Sequence, residues 1–378
     1  MKILFITDIG SPWGGSEELW SKSAIDLAER GYNVSVVTNY FGKPYHLKIA
    51  NVIDNGVQVY FRKNKLRDNI RKVAQKLNQT IISKNVRTNT EAILKKIAPD
   101  LVVFSQSSCF SAYKDMLYCS DNGYKYCSVS QLNSEFNWPN DNTFLNIRKA
   151  FVNAEKTFFV SHGNLNLFQT QIAHKLTNAE VISNPFNFDN IKQLDWPKTS
   201  TLNFAYVGRL DFTHKGIDVL LNAFATKEWK SRDFKLNIYG KGNLSLAKEL
   251  VNFLGLEDKV IFKGHVNNIH SIWEENHILS LASRYEGMPL VLIEAMLCRR
   301  TAIVTDVAGH AELITDKENG FLAEASHVKL FRKKLEEVWV NKDDLKTLGE
   351  KSYQTINQKL ENKPEIVFSN KLIELINK

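Results

Sequence analysis

Three short stretches combine charged residues with the start of a helix, and each could hold an anion or a polyol. In YVGRLDFTHKGIDVLL (206–221) an apolar run ends at Val207 and Gly208 turns the chain. Arg209 and Lys215 then flank a polar loop leading into a helix that begins near Gly216. A helix start presents unpaired N–H groups and a partial positive charge. A guanidinium adds a bidentate grip on phosphate oxygens and an ammonium adds a point charge. A departing diphosphate needs such a site, because its charge grows as the bond to it breaks. Two solvated surface cations would give the same letters. In YEGMPLVLIEAM (285–296) seven residues separate Glu286 from Glu294. Pro289 suits a first helical turn and Gly287 lets backbone approach a ligand. Glu286 then lies in the loop and Glu294 on the helix, so one carboxylate can face a sugar while the other takes a ribose hydroxyl pair. The N–H groups of Met288 and Leu290 are free at the helix start, whereas Pro289 has none. An acidic residue that merely complements the helix dipole is the plain alternative. In SPWGGSEELW (11–20), Gly14 and Gly15 permit a tight loop against phosphate, and Ser16 is placed to cap the helix that follows. The spacing is not that of a dinucleotide fingerprint, and a simple turn would also explain it.

Positioning these residues requires strands that alternate with helices. KILFIT (2–7), NVSVVT (33–38) and runs at 100–105, 125–130, 156–160 and 180–183 read as strands, with helical spacing over 16–30. The stretch 196–203 is polar, carries a proline and reads as a linker. The series then restarts at 202–208, 235–240, 259–264, 277–282 and 301–305, each run short and apolar as strands buried on both faces are. The pattern predicts an α/β chain of two Rossmann-like, doubly wound domains facing each other across a cleft, with ligands at the carboxyl ends of the strands. The expected domains are 1–195 and 196–360, with an amphipathic helix over 361–378 packing back on the body.

Composition narrows the function class. A chain of 378 residues, 43% hydrophobic and 24% charged, has enough apolar material for two cores. No apolar run reaches the length of a spanning helix, and the N-terminus lacks the form of a secretory signal. The cysteines at 109, 119, 127 and 298 show no metal-binding spacing and read as reduced thiols of a cytoplasmic protein. The net charge of +8 is concentrated: residues 61–96 hold eleven basic side chains against Asp68 and Glu91. Within that segment Ile70, Val73, Leu77 and Ile81 recur at helical spacing. Such a segment suits an anionic membrane surface, although a solvated helix face would look alike. Nucleic acid is not an expected partner.

Taken in order, Gly14 and Gly15, GRLDFTHKG (208–216), YGKG (239–242) and the glutamates 286 and 294 resemble glycosyltransferase family 4 over nearly the whole chain, most strongly over 202–325. The resemblance implies the GT-B fold and a retaining, nucleotide-sugar-dependent transfer. Arg209 and Lys215 would neutralise the donor diphosphate. Glu286 would contact the transferred sugar, with the backbone of Gly287, Met288, Pro289 and Leu290 around its hydroxyls or the phosphate, and Glu294 would bind the ribose. Gly240 and Val266 would lie near the nucleotide, and Gly14 and Gly15 would close over the phosphates. Asn184 matches a short turn at the end of the family's first domain. No metal or other cofactor is expected, only a UDP- or GDP-sugar as co-substrate and a glycan or lipid-linked acceptor, in bacterial surface polysaccharide or lipopolysaccharide synthesis.

One departure concerns the first domain. Many relatives carry a histidine near the donor sugar where this chain reads CSVSQLNSEFNW (127–138). Gln131 or Asn133 would occupy that place, and His162 in FVSHGN is a further candidate with an ordinary helix-start role as its alternative. Trp13, Trp20, Phe136 and Trp138 could stack on an acceptor glycan or pack in a core. A nucleotide-sugar epimerase or hydrolase, or a sugar-binding module without catalysis, would use the same fold. The former usually needs extra carboxylates and a histidine near the sugar, and no convincing set is present.

Overall fold

The computed structural model describes residues 1–62, 90–186 and 194–378. The segments 63–89 and 187–193, and with them most of the basic stretch and its apolar series, lie outside the described residues. Contacts divide the chain into two compact units. One comprises Met1–Val160, Leu165–Pro185 and Lys363–Lys378, the other Ser161–Asn164 and Phe186–Asn362. The ten residues before 196, read from the sequence as the end of the first domain, thus group with the second unit.

The first unit is built on seven parallel strands: β1 (Lys2–Thr7), β2 (Asn33–Asn39), β3 (Gln58–Arg62), β4 (Leu101–Gln106), β5 (Tyr126–Ser130), β6 (Lys156–Phe159) and β7 (Ala179–Val181). Their spatial order is β3-β2-β1-β4-β5-β6-β7, with Ile3 in register with both Val34 and Leu101. β1 and β4 are central and buried on both faces, which is why they show continuous apolar runs (ILFI and LVVF) rather than alternation. Hydrophobic layers cover both faces of this sheet.

The helix Pro364–Asn377 completes one of these layers. Phe368, Leu372 and Leu375 are buried in it, and the Phe368 ring stands edge-on to Phe158 at 5.2 Å. Burying each such side chain is worth about 1.5–3 kcal/mol. The same helix lies along Glu17–Glu29, where Ser23 Oγ donates to the Glu365 carbonyl at 2.9 Å.

The second unit holds six parallel strands: β8 (Leu202–Val207), β9 (Phe234–Tyr239), β10 (Val260–Gly264), β11 (Ile278–Leu281), β12 (Thr301–Thr305) and β13 (Phe321–Ala323). Their order is β10-β9-β8-β11-β12-β13, the doubly wound arrangement once more. Arg300 is buried among carbonyls rather than carboxylates. Its guanidinium donates to Trp273, Asn276, Cys298 and Asp195, so it closes two helix ends and fastens the segment before β8.

Two strands have no counterpart in the sequence reading, β3 and β13. Each is the edge of its sheet, and the three residues of β13 are too few to show a period. Ser16 does not cap its helix: its backbone is already helical, and its hydroxyl turns to Glu17 at 3.3 Å. All four cysteines are buried and unpaired. Among the described residues no helix is long and apolar enough to cross a membrane.

Candidate active site

In the second unit, the loops after β8, β9, β11 and β12 leave the same edge of the sheet. Two glycines let them approach. Gly240 has φ +134°, and a Cβ there would stand 1.9 Å from the Gly208 carbonyl oxygen, so only glycine allows the loops after β8 and β9 to run side by side. Gly216, at φ +60°, opens the helix Ile217–Phe224 and lies so near β11 that a Cβ would be 2.0 Å from the Ala282 oxygen. That contact brings Lys215 to the loop after β11. Arg284 locks the junction. It forms a fork to Asp218 at 2.9 and 2.8 Å, and its N–H donates to the His214 carbonyl.

Glu286 stands at the centre, buried. Lys215 Nζ donates to its Oε1 at 2.6 Å and Ser283 Oγ donates to the same oxygen at 2.7 Å. His214 Nε2 faces the other oxygen at 3.6 Å. Burial alone would raise this carboxyl. Lys215, His214 and His310 outweigh burial and hold it well below the usual carboxylate range. His310 is fully buried behind it. Its Nδ1 meets the Thr305 carbonyl at 2.6 Å and its Nε2 has no partner among the described residues. Burial lowers the His310 pKa, against the pull of Glu286.

Glu294, on the helix Leu290–Leu297, is also buried, and no hydrogen-bond partner reaches its carboxylate among the described residues. Burial pushes it up to about 7. The start of that helix has no side-chain cap, so its first N–H groups are open to a ligand. Gly287 accepts from the Gly309 N–H at 3.2 Å. Met288 packs so closely on Gly309 that a Cβ there would be 2.5 Å from the Met288 Cε. Gly240 and Val266 follow β9 and β10 on the same edge, Val266 half-buried against the core.

Arg209 is placed differently from Lys215. Its side chain is 61% exposed and, among the described residues, reaches only Asp211, at 3.7 Å. It remains in the same electrostatic neighbourhood. Tyr206 donates to the Arg209 carbonyl at 2.6 Å, and its hydroxyl, raised first by burial, feels both Glu286 and Arg209.

The first-unit candidates lie at the carboxyl ends of their own sheet. Gly14 and Gly15 accept the N–H groups of Glu17 and Glu18 as the helix begins. Glu17 is buried there, taking hydrogen bonds from Thr7 and from Trp20 at 2.7 Å, yet burial still raises it to about 7. Gln131 Oε1 accepts from Asn184 at 2.7 Å, and its Nε2 is buried without a partner among the described residues. Asn133 is committed internally, donating to Gln171 and accepting from the Ser134 N–H. His162 is the exposed first residue of the helix His162–Gln171, and it groups, within Ser161–Asn164, with the second unit. Trp20 is core, whereas Phe136 and Trp138 are exposed.

Ser283, His214 and His310 escaped the sequence reading as site residues. His214 adjoins Lys215 within the motif at 208–216, which was the available signal. Ser283 is an ordinary loop residue, and His310 merely opens the short helix His310–Leu313, until the strands converge.

Residues 188–355 match the model of a family described as Glycosyl transferases group 1. An uncharacterized glycosyltransferase of Haemophilus influenzae is 28% identical over 86% of both chains. The amylovoran biosynthesis glycosyltransferase AmsD of Erwinia amylovora is 25% identical over 93% of this chain and 94% of its own. The chain is a glycosyltransferase. A glycosyltransferase from Rickettsia africae shares its fold with TM-score 0.74 at 17% identity, covering 100% of this chain and 98% of that one. Anabaena HepE, solved in complex with UDP, gives 0.68 at 17% identity, with full coverage of both. This glycosyltransferase therefore has two Rossmann-like units of the GT-B type, and its paired lysine and glutamate lie within the matched region.

Proposed function

We propose that the protein is a retaining, metal-independent glycosyltransferase. It would move a sugar from a nucleoside-diphosphate sugar to a hydroxyl of a glycan or lipid-linked acceptor, in bacterial surface-polysaccharide synthesis. The observation that carries this reading is the half-buried Lys215 paired with the buried Glu286 beside two helix starts without side-chain caps, together with a Glu294 carboxylate that has no partner among the described residues.

The diphosphate takes Lys215 and Arg209 as its counter-cations, together with the open N–H groups at the start of Leu290–Leu297. Glu294 accepts from the ribose hydroxyls, and Glu286 accepts from the sugar. The acceptor hydroxyl attacks from the face the diphosphate leaves, and a phosphate oxygen takes its proton. Glu286 is poorly suited to be that base, because its neighbours hold it ionised far below neutral pH. Side chains and helix starts supply the charge stabilisation that a metal would otherwise give. UDP is the first nucleotide to test, since HepE was solved with it. The basic segment 61–96 is assigned to an anionic membrane that carries the acceptor, on its cytoplasmic face.

The test is a thermal-shift panel of UDP, GDP, UDP-glucose, UDP-N-acetylglucosamine and GDP-mannose, followed by turnover of Arg209→Ala. A ligand that binds only the folded state raises its melting temperature. Turnover should fall by about 100-fold or more. Stability should change by less than about 0.5 kcal/mol, because the side chain is mostly exposed. A panel without a response, or unchanged turnover in Arg209→Ala, refutes the reading.

A further inference from the structure

His214 is held more firmly than an incidental loop residue. Its N–H donates to Asp211 Oδ1 at 3.0 Å and its carbonyl accepts from Arg284 at 2.8 Å. Its ring lies flat on Tyr285, with centroids 4.5 Å apart and planes within 5°. Held this way, Nε2 points at Glu286 Oε2 from 3.6 Å, too far for a hydrogen bond, and it is buried with no partner among the described residues. The other Glu286 oxygen is already taken by Lys215 and Ser283. The facing carboxylate favours the imidazole form that carries hydrogen on Nε2. The result is a buried donor with no partner among the described residues, beside a carboxylate oxygen that no donor among them reaches within hydrogen-bond distance.

A hydroxyl satisfies both at once. Its hydrogen goes to the carboxylate and its lone pair accepts from Nε2. A phosphate oxygen would be repelled by Glu286, and an apolar group would leave the buried Nε2 unpaired. Resting on the glycosyltransferase reading of this site, we propose that His214 acts with Glu286 to read one ring hydroxyl of the donor sugar, so that His214 sets donor specificity. It touches the sugar and takes no part in the bond changes.

The experiment uses the full chain, the nucleotide sugar that turns over in the panel above, and its analogues lacking each ring hydroxyl in turn. In the wild type one analogue should lose about 100-fold in kcat/KM. In His214→Ala that penalty should shrink roughly ten-fold at that hydroxyl alone. His214→Gln, whose amide can donate, should restore it. Affinity for the free nucleoside diphosphate should be the same in all three proteins. If His214→Ala weakens the parent sugar and every analogue by one common factor, His214 is only structural and the proposal is overturned. If no nucleotide or nucleotide sugar binds the wild type, the glycosyltransferase reading fails, and this proposal with it.

Discussion

Replacing Glu294 by Gln tests the electrostatics of the site without touching its packing. The carboxyl is buried, has no compensating partner among the described residues, and rises from 4.5 to about 7 through burial alone. The folded chain therefore holds a proton that the unfolded chain releases between those values. Stability from this group is complete below pH 4.5 and is lost as the pH climbs through about 7. At about 1.4 kcal/mol per pKa unit, the loss is about 3 kcal/mol. For a unit of this size, that corresponds to roughly 6–12 °C in melting temperature. Glutamine has no proton to lose, so Glu294→Gln should melt close to the wild type at pH 5 and well above it at pH 8. Glu17 is raised in the same way but is present in both proteins, so it cancels in the difference. Scanning calorimetry from pH 5 to pH 8 reads the effect. A stability gap that does not change with pH would refute the argument that Glu294 is buried uncompensated.

Three other perturbations have calculable signs. Lys215→Ala leaves Glu286 buried without its ammonium and should cost about 3–5 kcal/mol by denaturant unfolding; adding Glu286→Gln should recover most of that stability but no activity. Gly216→Ala forces a side chain into a left-handed backbone against the Ala282 carbonyl and should cost about 2–4 kcal/mol, read as a lower melting temperature. Phe368→Ala should cost about 3–5 kcal/mol and destabilise the first unit, seen as faster hydrogen exchange in β1 and β4.

How legible the molecule is in its sequence depends on which interactions decide each part. The central strands KILFIT and LVVFSQ are buried on both faces, and such burial leaves the uninterrupted apolar runs ILFI and LVVF. The edges β3 and β13 are short and partly wet, so their letters carry little pattern. Lys215, Glu286 and Glu294 show through because each is tied to a helix start with its glycine or proline. Their meeting is not written locally. Seventy-one positions separate Lys215 from Glu286, and a glycine pressed on Ala282 together with the Arg284–Asp218 fork brings them together. His214, Ser283 and His310 acquire significance only from that convergence. Arg209 keeps its place in the motif, with a side chain that is mostly exposed and lies 3.7 Å from Asp211.

The allocation of Pro364–Asn377 to the first unit has a consequence for synthesis. A ribosome releases β1 to β7 early, yet the layer that covers Phe158 stays open until the whole of 186–362 has been translated. During that interval the nascent chain carries an uncovered greasy face, a natural target for a chaperone. A fusion that hinders the late helix would then harm the half of the molecule made first.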